Sequence, residues 1–197
     1  MRTFTILLFL LYVVNESVAQ GSTFHRAFTN HTEVGGLFGK VDYVINPYGT
    51  GPKTYDRQNK TNLTIQSFNG LYLFHRLSAG LTLGLDWYND ALINPIALGA
   101  RYDLISRYNA RLYGTLDVGH GFSWFHNNLN GNKLIGGLMF NPGIGWRLGK
   151  PGNAGFTIAI TYKRQEAIFK MPVSQDVLKS EESRQYNRLA VRVGIVF

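Results

Sequence analysis

Cysteine is absent from the 197 residues. That excludes disulfides, thiolate metal sites, a cysteine nucleophile and a lipid anchor on an N-terminal cysteine. Long apolar runs are also missing beyond the N-terminus. Gly, Asn, Asp, Lys or Arg breaks each run within a few residues, and a membrane helix needs about 20 apolar residues in succession. Acidic residues are scarce, 12 against 20 Lys and Arg, for a net charge of +8. The basic residues stand singly rather than in a run, which is a poor footprint for nucleic acid.

Motifs of chemistry are lacking too. The histidines His25, His31, His75, His120 and His126 form no HExxH pair and no cluster at metal-ligand spacing. Gly121-Phe122-Ser123-Trp124-Phe125 fails the GxSxG elbow at its last position. Gly149-Lys150 is followed by Pro151 where a phosphate-binding loop needs Ser or Thr. No catalytic residue, cofactor or metal ligand is assigned. Asp117, His120, Ser123 and His126 do fall close together in sequence, but alternation puts His120 on the opposite face from Asp117 and Ser123.

What the chain does contain begins with an export signal. Arg2 precedes an apolar run from Phe4 to Val14, and Ser17-Val18-Ala19 offers small residues at a peptidase site. Residues 1–19 are expected to be a cleaved signal peptide, with the mature domain spanning 20–197. One domain fits this length.

The mature chain alternates apolar and polar residues from end to end. Eight strands are expected, at about 33–45, 62–76, 79–89, 95–105, 109–122, 133–148, 154–168 and 186–197. The last is clearest. Leu189, Val191, Val193, Ile195 and Phe197 form one face, and Arg188, Ala190, Arg192 and Gly194 the other. An apolar face opposite charged and small residues suits lipid outside and a polar lumen inside. Mean hydropathy is −0.09, as expected when every second residue faces a polar interior. Strand two breaks the pattern, with apolar residues on both faces from Leu71 to Phe74; a bulge or a partly apolar interior would explain it.

Long and short connections alternate. The stretches 46–61, 123–132 and 170–185 are long and polar, whereas 77–78 and 106–108 are tight. Long loops on one rim and short turns on the other are the habit of outer-membrane barrels. Aromatic residues gather at strand ends: Trp87, Tyr88, Phe122, Trp124 and Phe169 at one rim, and Tyr102, Trp146, Phe156 and Phe197 at the other. Two aromatic girdles are expected of such a barrel. The fold class is therefore all-β: an eight-stranded antiparallel up-and-down transmembrane β-barrel.

The inward faces are expected to carry Lys40, Asp42, Asp86, Arg101, Asp103, Arg111, Asp117, Arg147, Lys163, Arg188 and Arg192. Buried charges need partners. An eight-stranded barrel is barely wide enough for its own side chains, so a plugged, ion-paired interior is expected, with Asp42 compensating Arg188 and Arg192.

The terminal pattern Leu189, Val191, Val193, Ile195, Phe197 resembles that of small outer-membrane barrel families, the OmpX/OmpA-like group and the barrel-domain proteins of Bacteroidota. The resemblance implies location in the Gram-negative outer membrane. It implies that this terminus is read by the barrel assembly machinery, and that outer-membrane lipids and lipopolysaccharide are partners. Some barrels of this size modify lipid A, but the deacylase type would need a His-x-Ser that this sequence lacks. The function expected is non-enzymatic, with extracellular loops that contact an unknown extracellular ligand or a body that supports the envelope. The alternatives are a lipid-modifying enzyme and a secreted, lipocalin-like ligand-binding barrel.

Overall fold

A computed structural model describes residues 28–47, 54–88, 91–124, 133–150, 153–170 and 180–197. The expected signal peptide, His25, His126 and the centres of the long connections lie outside the described residues.

The strands run β1 Phe28–Pro47, β2 Thr54–Phe74, β3 Leu77–Tyr88, β4 Ala91–Arg107, β5 Ala110–Phe122, β6 Lys133–Leu148, β7 Gly155–Lys170 and β8 Ser180–Val196. Each pairs antiparallel with its sequence neighbour, and β8 closes against β1. Closure leaves no unpaired edge, which is what allows strands to cross hydrocarbon. Tight turns at 75–76 and 108–109 share one end of the barrel with both described termini. We call this the near end and the opposite one the far end.

The outer wall is apolar. Val34, Phe38, Leu63, Ile65, Leu81, Leu83, Leu98, Leu116, Val118, Phe140, Ile144, Ile158, Ile160, Val191 and Val193 are all exposed. A belt of this extent exceeds any patch that a water-soluble monomer presents. One polar island interrupts it on β1 and β2. There Asn30 donates to Ser67 at 3.1 Å and to Asn69 at 2.7 Å, and Thr32 donates to Asn30 at 2.8 Å. Polar groups facing lipid must satisfy one another, and these do.

Register shifts in β2, β4 and β6 set the side-chain phase; the one in β4 lies between Asp103 and Ile105 and leaves Leu104 and Ile105 both exposed. In β2 the register shifts between Tyr72 and Phe74. Leu71, Leu73 and Phe74 are consequently all exposed, so a bulge, rather than an apolar interior, accounts for the broken alternation. In β6 the shift lies between Gly136 and Met139. It lets Leu134 and Met139, five positions apart in the sequence, both be buried.

The strands differ in height. A crossing takes about 9–11 tilted residues. β3 has 12, whereas β1 has 20 and β2 has 21. The surplus of β1, β2, β7 and β8 rises past the apolar belt at the far end as a collar. In the collar the side-chain phase is kept but the polarity of the two faces inverts. Lys40 is exposed, while Leu37 and Val41 are fully buried and Tyr43 nearly so. These pack with Tyr88, Ile93, Leu134, Ala167, Tyr186 and Ala190 into an apolar cluster, against which Phe169 leans. A wall in water must face polar groups outward and fill its bore with apolar ones.

That inversion corrects two expectations. Lys40 and Asp42 do not face the lumen. Asp42 lies on the outer wall, paired with Arg57 at 2.5 Å. Alternation with lipid outside would turn Val41 and Tyr43 outward, but the wall at that height stands in water and both are buried. Tyr88 and Phe169 likewise turn inward rather than joining a girdle. Trp87, Trp124, Tyr102, Trp146, Phe156 and Phe197 are exposed.

Candidate functional site in the barrel lumen

The lumen is filled by side chains in layers. At the near end Arg111 pairs with Asp103 at 3.0 Å. Arg147 beside them donates to the Asn153 carbonyl at 3.1 Å. Arg111 and Asp103 sit near strand ends and are partly reached by water, whereas Arg147 is buried.

Above them lies a network centred on Asp117 of β5. Its carboxylate accepts from Arg101 Nη1 at 2.8 Å, Thr82 Oγ1 at 2.7 Å, Asn141 Nδ2 at 2.9 Å and Gln66 Nε2 at 3.3 Å. Four strands besides its own thus converge on one carboxylate. The Arg101 guanidinium stacks 4.2 Å from the centre of the Phe68 ring, a desolvated cation–π contact. His31 meets Phe68 and Tyr113 edge-on at 5.8 and 5.4 Å.

Glu33 of β1 is the second hub. Its Oε2 accepts from Arg192 Nε at 3.0 Å, and its Oε1 from Tyr113 Oη at 3.2 Å and Thr157 Oγ1 at 3.1 Å. Glu33 therefore does for Arg192 what is expected of Asp42, and leaves Arg188 without that partner. The sequence signal was present: Glu33 is an odd-numbered residue of β1, in phase with Leu37 and Val41. It was lost because the collar residues set the phase.

A third layer holds Lys163 and Asp86, 2.5 Å apart and both buried. Asp86 also accepts from Thr64 at 2.7 Å. Arg188 lies beside this pair, opposite Lys163 in the β7–β8 ladder. Over it comes the apolar cluster, capped by stacked Tyr88 and Tyr186 rings with centres 4.1 Å apart. At the far end Glu182 and Arg184 pair at 2.7 Å, with Arg184 over the Phe169 ring at 4.4 Å.

The structure thus brings Asp86, Arg101, Asp103, Arg111, Asp117, Arg147, Lys163, Arg188 and Arg192 to the lumen, and leaves Lys40 and Asp42 outside it. Glu33, Glu182 and Arg184 are inward groups that sequence reasoning did not find. Leu189, Val191, Val193, Ile195 and Phe197 line up on the outer wall of β8.

The arrangement does not assemble a hydrolytic site from Asp117, His120 and Ser123. Asp117 is held in the ion-pair network, His120 is exposed on the outer wall, and Ser123 donates to the Leu134 carbonyl at 2.7 Å. Among the described residues no group of His, Asp and Glu is placed to hold a metal ion.

No family model matches the sequence, and no curated protein matches it. Solved structures do resemble it. The outer membrane protein OprG from Pseudomonas aeruginosa superposes with a TM-score of 0.56 at 14% identity, over 86% of this chain and 93% of that one. The N-terminal β-barrel domain of Pseudomonas aeruginosa OprF gives 0.44 at 13% identity, over 87% and 100%. Neisserial surface protein A gives 0.42 at 9% identity, over 85% and 95%. At such identities the likeness is one of fold. The chain has the fold of small outer-membrane β-barrel proteins.

Proposed function

We propose that this chain is an outer-membrane protein that works through the surfaces it displays, not through its bore and not through catalysis. The observation that carries the reading is the sealed lumen. Ion pairs fill its near half and an apolar cluster closes its far half. An eight-stranded wall leaves no width for a channel around such a filling.

On this reading residues 1–19 are removed during export. The near end faces the periplasm and the collar stands outside the cell. The collar's outer wall offers Lys40, Asp42, Arg57, Arg164 and Glu166 just beyond the apolar belt. That is the height at which lipopolysaccharide presents phosphates and sugars, so lipopolysaccharide is the first partner to expect there. The connections above it would meet the extracellular ligand. Leu189 to Phe197 would be read by the assembly machinery.

Planar-bilayer recording of the purified chain tests the proposal. Conductance is expected to be small or absent, with weak anion preference if any current flows. A large, stable conductance would overturn it and make the lumen a transport path. Fractionation of expressing cells tests the location. Recovery in the soluble periplasmic fraction would sink it.

A further inference from the structure

Among the described residues, five ion pairs neutralise most of the lumen: Arg101–Asp117, Arg111–Asp103, Lys163–Asp86, Arg184–Glu182 and Arg192–Glu33. Arg188 belongs to none of them. It is nonetheless 0% exposed and among the largest fully buried side chains.

Its surroundings make the surplus worse. Lys163, 1% exposed, stands directly opposite it, and like charges directly opposite are destabilising. Asp86, the partner of Lys163, is engaged on both oxygens, by Lys163 and by Thr64. Lys163 thus has a counter-charge, and among the described residues Arg188 has none. An uncompensated charge in such a place is strongly destabilising.

The guanidinium is half satisfied. Its Nη1 donates to the Gly39 and Lys60 carbonyls, the latter at 2.7 Å. Gly39 makes this possible. Its φ of +140° is a conformation that favours glycine, and a Cβ there would lie 2.6 Å from the Asn187 carbonyl oxygen. The other edge is unpartnered. Nε and Nη2 are both buried and neither has a hydrogen-bond partner. These two N–H groups point side by side and form the fork with which arginine grips anions. The Tyr88 and Tyr186 ring centres, 6.0 and 5.9 Å from the guanidinium carbon, stand at the outer limit of cation–π contact, about 6 Å. They do not replace an acceptor.

We propose that Arg188 holds a small inorganic anion, of the halide class, at its Nε/Nη2 edge within the closed lumen. The fork supplies two charge-assisted donors, and the local excess of one positive charge supplies the attraction. Full burial of the fork in a lumen filled by side chains favours a single-atom ion over sulfate or phosphate. Because these atoms are shut off from bulk water, the ion enters as the barrel closes during folding and leaves only when it opens.

The test uses bromide as probe. The full mature chain is refolded from urea into detergent with sodium bromide as the only halide, crystallised, and measured at the bromine absorption edge. An anomalous peak within hydrogen-bond reach of Arg188 Nε and Nη2 is expected. No peak, or a peak too weak to be other than water, overturns the proposal. Refolded protein is also melted across a bromide series at constant ionic strength, with gluconate replacing bromide. The midpoint is expected to rise with the logarithm of bromide concentration. The dependence should vanish in Arg188→Met and persist weakened in Arg188→Lys, which keeps the charge but not the fork. An unchanged dependence in Arg188→Met would show a general salt effect and overturn the proposal. The diffraction experiment needs no variant, so a substitution that prevents folding leaves it decisive.

Discussion

A single carboxylate of the lumen is worth more than a single charge on the collar, although both sit in ion pairs. Glu33 is buried and binds Arg192, Tyr113 and Thr157. Glu33→Gln leaves Arg192 buried without a counter-charge and is expected to cost about 3–5 kcal/mol in urea unfolding. Arg192→Met should cost a similar amount, and the double variant less than their sum, because each loss includes stranding the other partner. Additive losses would show that the two do not act as a pair. Asp42 is also ion-paired, with Arg57, but on the outer wall with partners 64% and 31% exposed. Asp42→Asn is therefore expected to change stability by less than about 1 kcal/mol. The ranking could not be read from the sequence. Strict alternation places Arg101, Asp117 and Arg192 correctly because the outward neighbours of these positions are apolar or aromatic, as lipid requires. It cannot say that Asp42 stands above the belt, where a charge is at home outside.

At the scale of a strand, β1 changes solvent along its length. Its outward residues run from Val34 and Phe38 in the belt to Lys40 and Asp42 in the collar, while Leu37, Val41 and Tyr43 fill the bore. Substitutions should report that boundary. Leu83→Arg, in the belt of β3, is expected to cost about 2–4 kcal/mol, whereas Lys40→Ala should be close to neutral. Leu37→Ala, on the inner side, should open a cavity and cost about 2–5 kcal/mol. A stable Leu83→Arg barrel in lipid vesicles would mean that β3 does not face hydrocarbon. The strands that only just span the belt, β3 and β5, were legible in the sequence almost to the residue. Alternation reads β2 and β8 short at their far ends, and β1 short chiefly at its near end, where it begins at Phe28 rather than at Glu33. Charged and polar residues such as those of 54–61 and 180–185 look like loop when the reader expects lipid outside. They form strand because the ladder hydrogen bonds of β1, β2 and β8 continue regardless of which solvent wets the wall.

Taken whole, the molecule is a closed ladder with a filled bore, so it has no edge at which unfolding can begin cheaply. It is expected to run at a different gel mobility before and after boiling in detergent. Identical mobilities would contradict a closed barrel. The collar has a further consequence, for the direction of travel. A chain that enters a bilayer must first push one of its rims through the hydrocarbon. The near rim carries tight turns at 75–76 and 108–109, so little backbone and few charges cross with it. The far rim carries Lys40, Asp42, Asp56, Arg57, Arg164 and Glu166 on wall that is already paired. Left to itself beside a vesicle, the chain should therefore lead with its turns and leave the collar where it started, fully open to added trypsin. A cell that needs the collar on the far side of its membrane has to carry that rim across against this gradient. The height of four strands thus makes unaided entry run in the wrong direction.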